Sequence, residues 1–485
     1  MKAVSTTGPR APGAAADFLW DVIVVGGGMA GLVGGLRAVE AGARTLLLER
    51  GDVVGGSARL ATGFLAVPRD AAALASPAGG DPALARAVLQ AYARVVGWLG
   101  ARGVPLSPLV PDVMYGALKG HFVLDSMPAA LDRLAARFRE QGGVLRCGVR
   151  AVSVARDAAG QLAVEVEHAA GELREVDPVP PVDGAAGAAR QVGRALLLAT
   201  GGFQANPALV ERQIGHLVPR TNPWSVGDGL HLADQLGAAQ AGGMNGFYGH
   251  LLPAPNGRLA ADVAVRLGQY YSPHCVLLDG AGRRFVDESA GDERNAWALS
   301  QHGDAAGWLV FDEAIRRAYL TTAPFPYARD VDRLAQALAA GATVLRADTL
   351  EGLAASLAAH GVPAARAQET LAGYNRVDRP LSPPRRRFRH PLAMPPYFAL
   401  RVVPSIYFTY GGVRADPAGH ALDAMGRRVP GLYVAGNDVG GLHDGGYVGG
   451  LAASAVFGHH AGHAAAVYAR RGARRALAQL AAQPV

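Results

Sequence analysis

Apolar residues recur along this chain in two spacings, and their order predicts its architecture. Val22–Val25 is a short, wholly apolar run of the kind that forms a strand buried on both faces. Leu32–Ala41 then switches to helical spacing, and Thr45–Leu48 is a second apolar strand ending in Glu49. Further on, Ala195–Phe203 (ALLLATGGF) and Val429–Asp438 (VPGLYVAGND) are apolar strands that end in glycine. Asp81-Pro82 predicts a helix start, and Leu84, Val88, Leu89, Tyr92, Val95, Val96 and Leu99 mark one face of that helix. Ala129–Gln141 predicts another helix, followed by strands around Val144–Ala155 and Leu162–Glu167. The Pro-, Gly- and Ala-rich stretch Asp177–Ala189 predicts a loop, and VGGLAASAVFGHHAGHAAAVYA near the C-terminus predicts a buried helix. From about 240 to 395 the pattern turns to hairpins and helices, with CVLLDGAGRRFV read as strand, Asp279-Gly280 turn and strand.

Between the first strand and its helix stands Gly26-Gly27-Gly28-Met29-Ala30-Gly31. In a strand–turn–helix–strand setting this GxGxxG spacing is a dinucleotide fingerprint. Gly26 permits the tight turn, Gly28 lets backbone N–H groups reach a pyrophosphate, and Gly31 allows helix and strand to pack closely. The helix N-terminus offers favourable partial charge to a phosphate. Glu49 lies where a carboxylate accepts hydrogen bonds from ribose hydroxyls.

Composition narrows the class. The 485 residues are 50% hydrophobic and 18% charged, enough for two or three domains with substantial cores. The formal net charge of +7 comes from dispersed basic residues, which argues against nucleic acid as a partner. The densest basic run, Arg385-Arg386-Arg387-Phe388-Arg389, reads as a solvated linker. Cys147 and Cys275 are the two cysteines, too few for a disulfide framework or an iron–sulfur cluster, and they suit a reducing cytoplasm. Residues 1–18 read as a loose leader, and no apolar run reaches the length of a membrane span. His459, His460 and His463 lack a carboxylate or cysteine to complete a metal set, so no metal is expected.

The ordered set of distant motifs resembles the fumarate reductase/succinate dehydrogenase flavoprotein superfamily, from Asp21 to the last helix. Some local wording is similar to tricarballylate dehydrogenase-like members and some to 3-ketosteroid dehydrogenase-like members. The resemblance implies an α/β fold: a Rossmann-like FAD-binding domain of glutathione-reductase type with an inserted α+β capping domain. The expected division is 19–235 and 396–485 for the FAD-binding domain and 236–395 for the cap. It implies FAD bound along Gly26, Gly28, Met29, Ala30, Gly31, Glu49, Arg50, Gly56 and Ser57. The later strand ends contribute Ala199, Thr200, Gly201, Asp228, Gly436, Asn437, Gly450, Leu451 and Ala452. The family's flavin-attaching histidine is replaced by Ser57-Ala58-Arg59, so the cofactor is expected to be non-covalent. With no second fingerprint in the chain, electrons come from or go to an external partner.

The resemblance also implies the chemistry: hydride exchange between flavin N5 and a small-molecule substrate, at a CH–CH bond beside a carbonyl or carboxylate. His250 follows the GDG segment at nearly the interval of a substrate-binding histidine. Arg294 corresponds to a proton-donating arginine, although it lies farther from Glu288 than the fumarate reductase pattern has it. Tyr407 and Tyr447 stand where fumarate reductases carry a histidine and a carboxylate-binding arginine, which argues against fumarate or succinate. The substrate class stays open between a steroid-like or cyclic ketone and a polycarboxylate. A flavin monooxygenase and a non-catalytic electron-transfer or RNA-binding flavoprotein are weaker alternatives. Tyr447 sits in GGLHDGGYVGG, where six of eleven residues are glycine, and its hydroxyl is expected to donate to the substrate carbonyl. Tyr447→Phe is therefore expected to slow substrate-driven flavin reduction by roughly 10²–10³-fold with FAD content unchanged, measured by stopped-flow absorbance. A wild-type rate would make Tyr447 a packing residue.

Overall fold

The computed structural model describes residues 19–69, 80–113, 118–168, 189–254, 267–321, 332–443 and 449–481. The candidate Tyr447 lies outside them, as does all of the expected loop Asp177–Ala189 except Ala189, which begins a strand. The predicted unit forms as β1 (Leu19–Val25), α1 (Met29–Glu40) and β2 (Thr45–Leu48). β1 pairs in parallel with β2 on one side and with Ala189–Leu198 on the other. Arg428–Val434 continues the parallel sheet beyond Ala189–Leu198, and Val144–Arg146 continues it beyond β2. β1, β2 and the C-terminal halves of Ala189–Leu198 and Arg428–Val434 are buried and apolar, as a sheet covered on both faces requires.

Register makes this sheet a platform. Val25 is level with Leu48 and with Leu198, and Leu198 is level with Val434. The loops that follow four strands, separated by up to about 400 residues of chain, thus leave one edge of the sheet side by side. That edge is the carboxyl end, where open α/β sheets place ligands.

The expected helices are present with local caps. Asp81 accepts from Ala83 N at 2.7 Å to start Pro82–Gly100, and Ser126 accepts from Ala129 N at 3.2 Å to start Met127–Glu140. The last helix, Gly450–Ala481, crosses behind α1 at unusually close range. A Cβ on Gly462 would lie 2.0 Å from Gly34 O, and one on Gly458 would lie 2.4 Å from Ala30 O.

The second unit is a mixed sheet whose central strand is Tyr397–Ile406. Gly307–Asp312, Val344–Ala347 and Leu251–Pro253 pair antiparallel with it, and Val218–Pro219 pairs in parallel. One of these partners, Val218–Pro219, and the central strand itself lie outside the 236–395 segment. The Asp279 hairpin is smaller than expected. Asp279 N donates to Arg283 O at 2.9 Å, and the return strand shrinks to a single bridge between Leu278 and Arg284.

The arginine run is a solvated linker only in part: Arg386 and Arg387 are exposed, but Arg385 is not. The Arg385 side chain is fully buried, 3.2 Å from Glu288 Oε2, and donates to the carbonyls of Pro273 and Cys275 at 2.6 and 2.7 Å. Glu288, which also takes Arg284 at 2.5 Å, supplies the charge that local composition could not reveal.

Two glycines inside helices make opposite predictions. Alanine is normally the better helix former by roughly 0.5–1 kcal/mol. Gly97→Ala should gain about that much, because no atom lies within 4 Å of its Cβ position. Gly462→Ala should instead lose roughly 1–3 kcal/mol, because the backbone of α1 must move aside. Thermal unfolding of the two variants should shift in opposite directions; equal shifts would disprove the close helix contact.

Candidate active site

Two adjoining hollows occupy the carboxyl edge of the sheet. The first is a channel lined by the four strand-end loops: Gly26, Gly28, Met29 and Ala30; Glu49 and Arg50; Ala199, Thr200 and Gly201; Gly436 and Asn437. Gly56, Ser57 and Asp228 also line it. Of the residues expected at the cofactor, Gly31 and Ala452 lie behind the surface. A Cβ on Gly31 would sit 1.8 Å from Gly26 O, which is the close packing foreseen for it, and Ala452 is buried in the core.

The channel's polar groups are preset. Glu49 accepts from Gly27 N at 2.6 Å and Gly51 N at 2.7 Å; burial raises its pKa against the pull of these amides. Asp228 engages Arg50 at 3.1 Å and Arg150 at 2.8 Å, and the Arg50 guanidinium lies 5.0 Å from the Trp224 ring centre. Asp228, expected at the flavin side, thus lines the channel together with these two arginines. Asp438 was not foreseen. Its buried carboxylate accepts from Thr200 N at 2.5 Å, Thr200 Oγ1 at 3.0 Å and Gly202 N at 3.0 Å.

Gly28 tests what the channel holds. Its backbone is ordinary extended chain (φ −71°, ψ −173°), and a Cβ there would meet nothing nearer than Gly55 O at 3.8 Å. The protein's own packing does not demand glycine here; room for a bound group at the N-terminus of α1 does. The fit to a dinucleotide is good.

The second hollow shares Ser57, Ala58, Asn437 and Ser454 with the channel and is walled by aromatic and apolar side chains. It is built by a pair of strands. Leu251–Pro253 pairs with Val402–Pro404, and the ladder resumes as Phe247-Tyr248 against Phe408-Thr409. This sets Tyr248 and His250 beside Tyr407 and Phe408. The His250 ring centre lies 4.9 Å from Tyr248, 4.8 Å from Tyr407 and 4.6 Å from Tyr270. Gly450 and Leu451, at the N-terminus of the last helix, close one side.

His250 is the anchored member. Its Nδ1 is hydrogen-bonded to Asp292 Oδ2, and both residues are 2% exposed. Burial lowers the imidazole pKa to about 3 and raises that of Asp292 to about 7. Glu293 beside it is raised to about 8, by burial first and by the Asp292 charge second. Tyr407 Oη is buried and makes no hydrogen bond of acceptable geometry, although the Tyr270 hydroxyl is close enough to affect its proton affinity. Burial raises the pKa of Tyr407, so the phenol keeps its proton.

Arg294 does not join this group. It is exposed on the helix Asp292–Ser300, with its guanidinium 4.9 Å from the Trp297 ring centre. The residue of that segment that bears on the cavity is Asp292, two positions earlier, which reaches it only through its hydrogen bond to His250. Arg220, Tyr248 and Tyr270 also line the cavity and were not singled out. Tyr248 stands beside His250 in NGFYGH, and Arg220 lies just ahead of the GDG segment in VPRTNPWSVGDG.

Comparison with known proteins agrees with this geometry. The FAD binding domain family matches residues 21–451. The fumarate reductase (cytochrome) of Shewanella frigidimarina is 27% identical, over 93% of this chain and 78% of its own. The 3-oxosteroid 1-dehydrogenase of Mycobacterium tuberculosis is 28% identical over 50% of this chain and 47% of its own. The fold is similar to that of 3-ketosteroid-Δ4-(5α)-dehydrogenase from Rhodococcus jostii RHA1, with a TM-score of 0.70 at 21% identity, covering 93% of this chain and 97% of that one. Among the described residues no helix is long and apolar enough to cross a membrane.

Gly28→Glu is expected to fold and to purify without yellow colour, since a carboxylate would fill and repel the phosphate position. The FAD-to-protein absorbance ratio checks this; a fully yellow variant would refute the assignment of the channel.

Proposed function

Since this chain belongs to the FAD binding domain family and is an FAD-dependent oxidoreductase of the CH–CH class, we propose that its aromatic cavity is the substrate site and that His250 with Asp292 moves the proton. When bound, FAD supplies hydride exchange at its N5, here with a carbon beside a carbonyl or carboxylate. The observation that carries the reading is the Asp292-braced His250 in a cavity that shares four lining residues with the cofactor channel.

The pair works through its tautomer. The imidazole stays neutral because its pKa is depressed to about 3. When Asp292 is ionised it accepts the Nδ1 proton, and Nε2 is left as a base for the proton on the carbon α to the carbonyl. When Asp292 is protonated it donates to Nδ1, and Nε2 carries a proton to give. The Tyr407 hydroxyl, buried without a hydrogen bond, is a donor for the substrate carbonyl as charge builds on its oxygen. Tyr447 is proposed as a second donor. Arg294, exposed and lining neither hollow, has no role in this scheme.

The remaining features of the reading are a non-covalent FAD, an external electron donor or acceptor, and a cytoplasmic setting in which Cys147 and Cys275 stay free.

The sign of the pH dependence follows. Asp292, with its folded pKa raised to about 7, ionises as pH rises through that value. Dehydrogenation should therefore speed up across pH 6–8, and the reverse reduction should slow. Asp292→Asn removes the ionisable brace, since its amide can accept from or donate to Nδ1 without changing charge, so dehydrogenation should fall roughly 10²–10⁴-fold and its pH step should disappear. Single-turnover flavin reduction against pH measures both, and an unchanged pH profile in the variant would remove Asp292 from the mechanism.

A further inference from the structure

Arg220 lines the aromatic cavity at 7% exposure, yet no carboxylate of the described residues pairs with it. Its hydrogen-bond acceptor is Leu60 O, and its Nε is buried without a partner. The guanidinium lies over the Tyr407 ring, 4.1 Å from its centre. A guanidinium carries five N–H donors in a rigid fork, and leaving a buried charge uncompensated is costly. The same molecule shows how it treats buried arginines that serve structure: Arg284 and Arg385 both pair with Glu288, at 2.5 and 3.2 Å. Arg220 has no such carboxylate among the described residues, and it stands in the substrate cavity.

Its surroundings limit what it receives. Arg220 is the one Lys or Arg among the described lining residues, and burial keeps His250 neutral. Phe64, Leu118 and Phe408 belong to the apolar part of the lining. Among the described lining residues a second carboxylate would meet no further cation, whereas a neutral ketone would leave the guanidinium unanswered. Building on the reading of this cavity as the substrate site, we infer that the substrate is a monocarboxylic acid with a flat, apolar body, its carboxylate held by the Arg220 fork. Tyr407, under the guanidinium, keeps the fork in one plane.

The test uses the FAD-loaded protein, with trans-cinnamate as probe and benzalacetone, its neutral methyl-ketone counterpart, as control. Binding is read from the shift in the oxidised flavin spectrum. Wild type should bind cinnamate at least tenfold more tightly than benzalacetone. Arg220→Met should weaken cinnamate roughly 10–100-fold and leave benzalacetone unchanged, with Arg220→Lys between the two. Equal weakening of both probes by Arg220→Met would assign Arg220 to packing and overturn the inference. Tight benzalacetone binding with oxidation of photoreduced flavin, and no response to cinnamate, would overturn it while leaving the CH–CH oxidoreductase reading intact. Failure of both probes to shift the spectrum or to oxidise reduced flavin would overturn the cavity assignment and this inference with it.

Discussion

The buried carboxylate of Asp438 locks together two loops that strand register brings side by side. It belongs to the loop after one parallel strand and takes the amides of Thr200 and Gly202 from the loop after the neighbouring strand. Those amides point away from any strand partner, and without an acceptor they would be buried donors left unpaired. Because the two loops are locked to each other, the third and fourth loops of the same sheet edge face a surface of fixed shape. Burial raises the Asp438 pKa while its amide donors lower it. The channel and the cavity beside it both depend on this junction, since Asn437, next in sequence, lines both.

From that junction outward the polarity changes in one direction. The channel is bordered by charged side chains already committed to each other, Asp228 with Arg50 and Arg150. The cavity contains few charges, and those are deeply buried. A charge–charge interaction that water would weaken to about 1 kcal/mol at 4 Å grows several-fold in such surroundings. His250, Asp292 and Tyr407 can therefore influence one another's protons strongly, which a surface cluster of the same residues could not do.

Much of this was legible in the chain because it rests on local rules. Apolar strands ending in glycine, a helix-period run after GxGxxG, and Asp81 or Ser126 as caps need only neighbouring residues to be recognised. The cavity chemistry was less legible because it depends on direction. Asp292 and Arg294 are two residues apart on a helix, a rotation of about 200°, so one faces His250 and the other faces solvent. His250 was identified, but its brace was not, since Asp292 comes from a segment 42 residues away. Arg220 and the buried Arg385 share this difficulty: an arginine in a Pro-containing loop reads as solvated until its burial is known. Tyr407 was found through a resemblance, and its environment of Tyr248, His250 and Tyr270 emerged from strand pairing.

The strand Tyr397–Ile406 has one consequence of a mechanical kind. It is the middle strand of the cap, and the chain continues from it into Tyr407 and Phe408 without an intervening loop. Ser405 N donates to His250 O at 2.9 Å, and Tyr407 N donates to Tyr248 O at 2.8 Å, so the two cavity-forming strands are also stitched together there. The cap is thus a lever whose short arm is the wall of the reaction chamber. Any tilt of the cap is transmitted to the ring under the Arg220 guanidinium, and the chamber holds its shape only while the cap is seated.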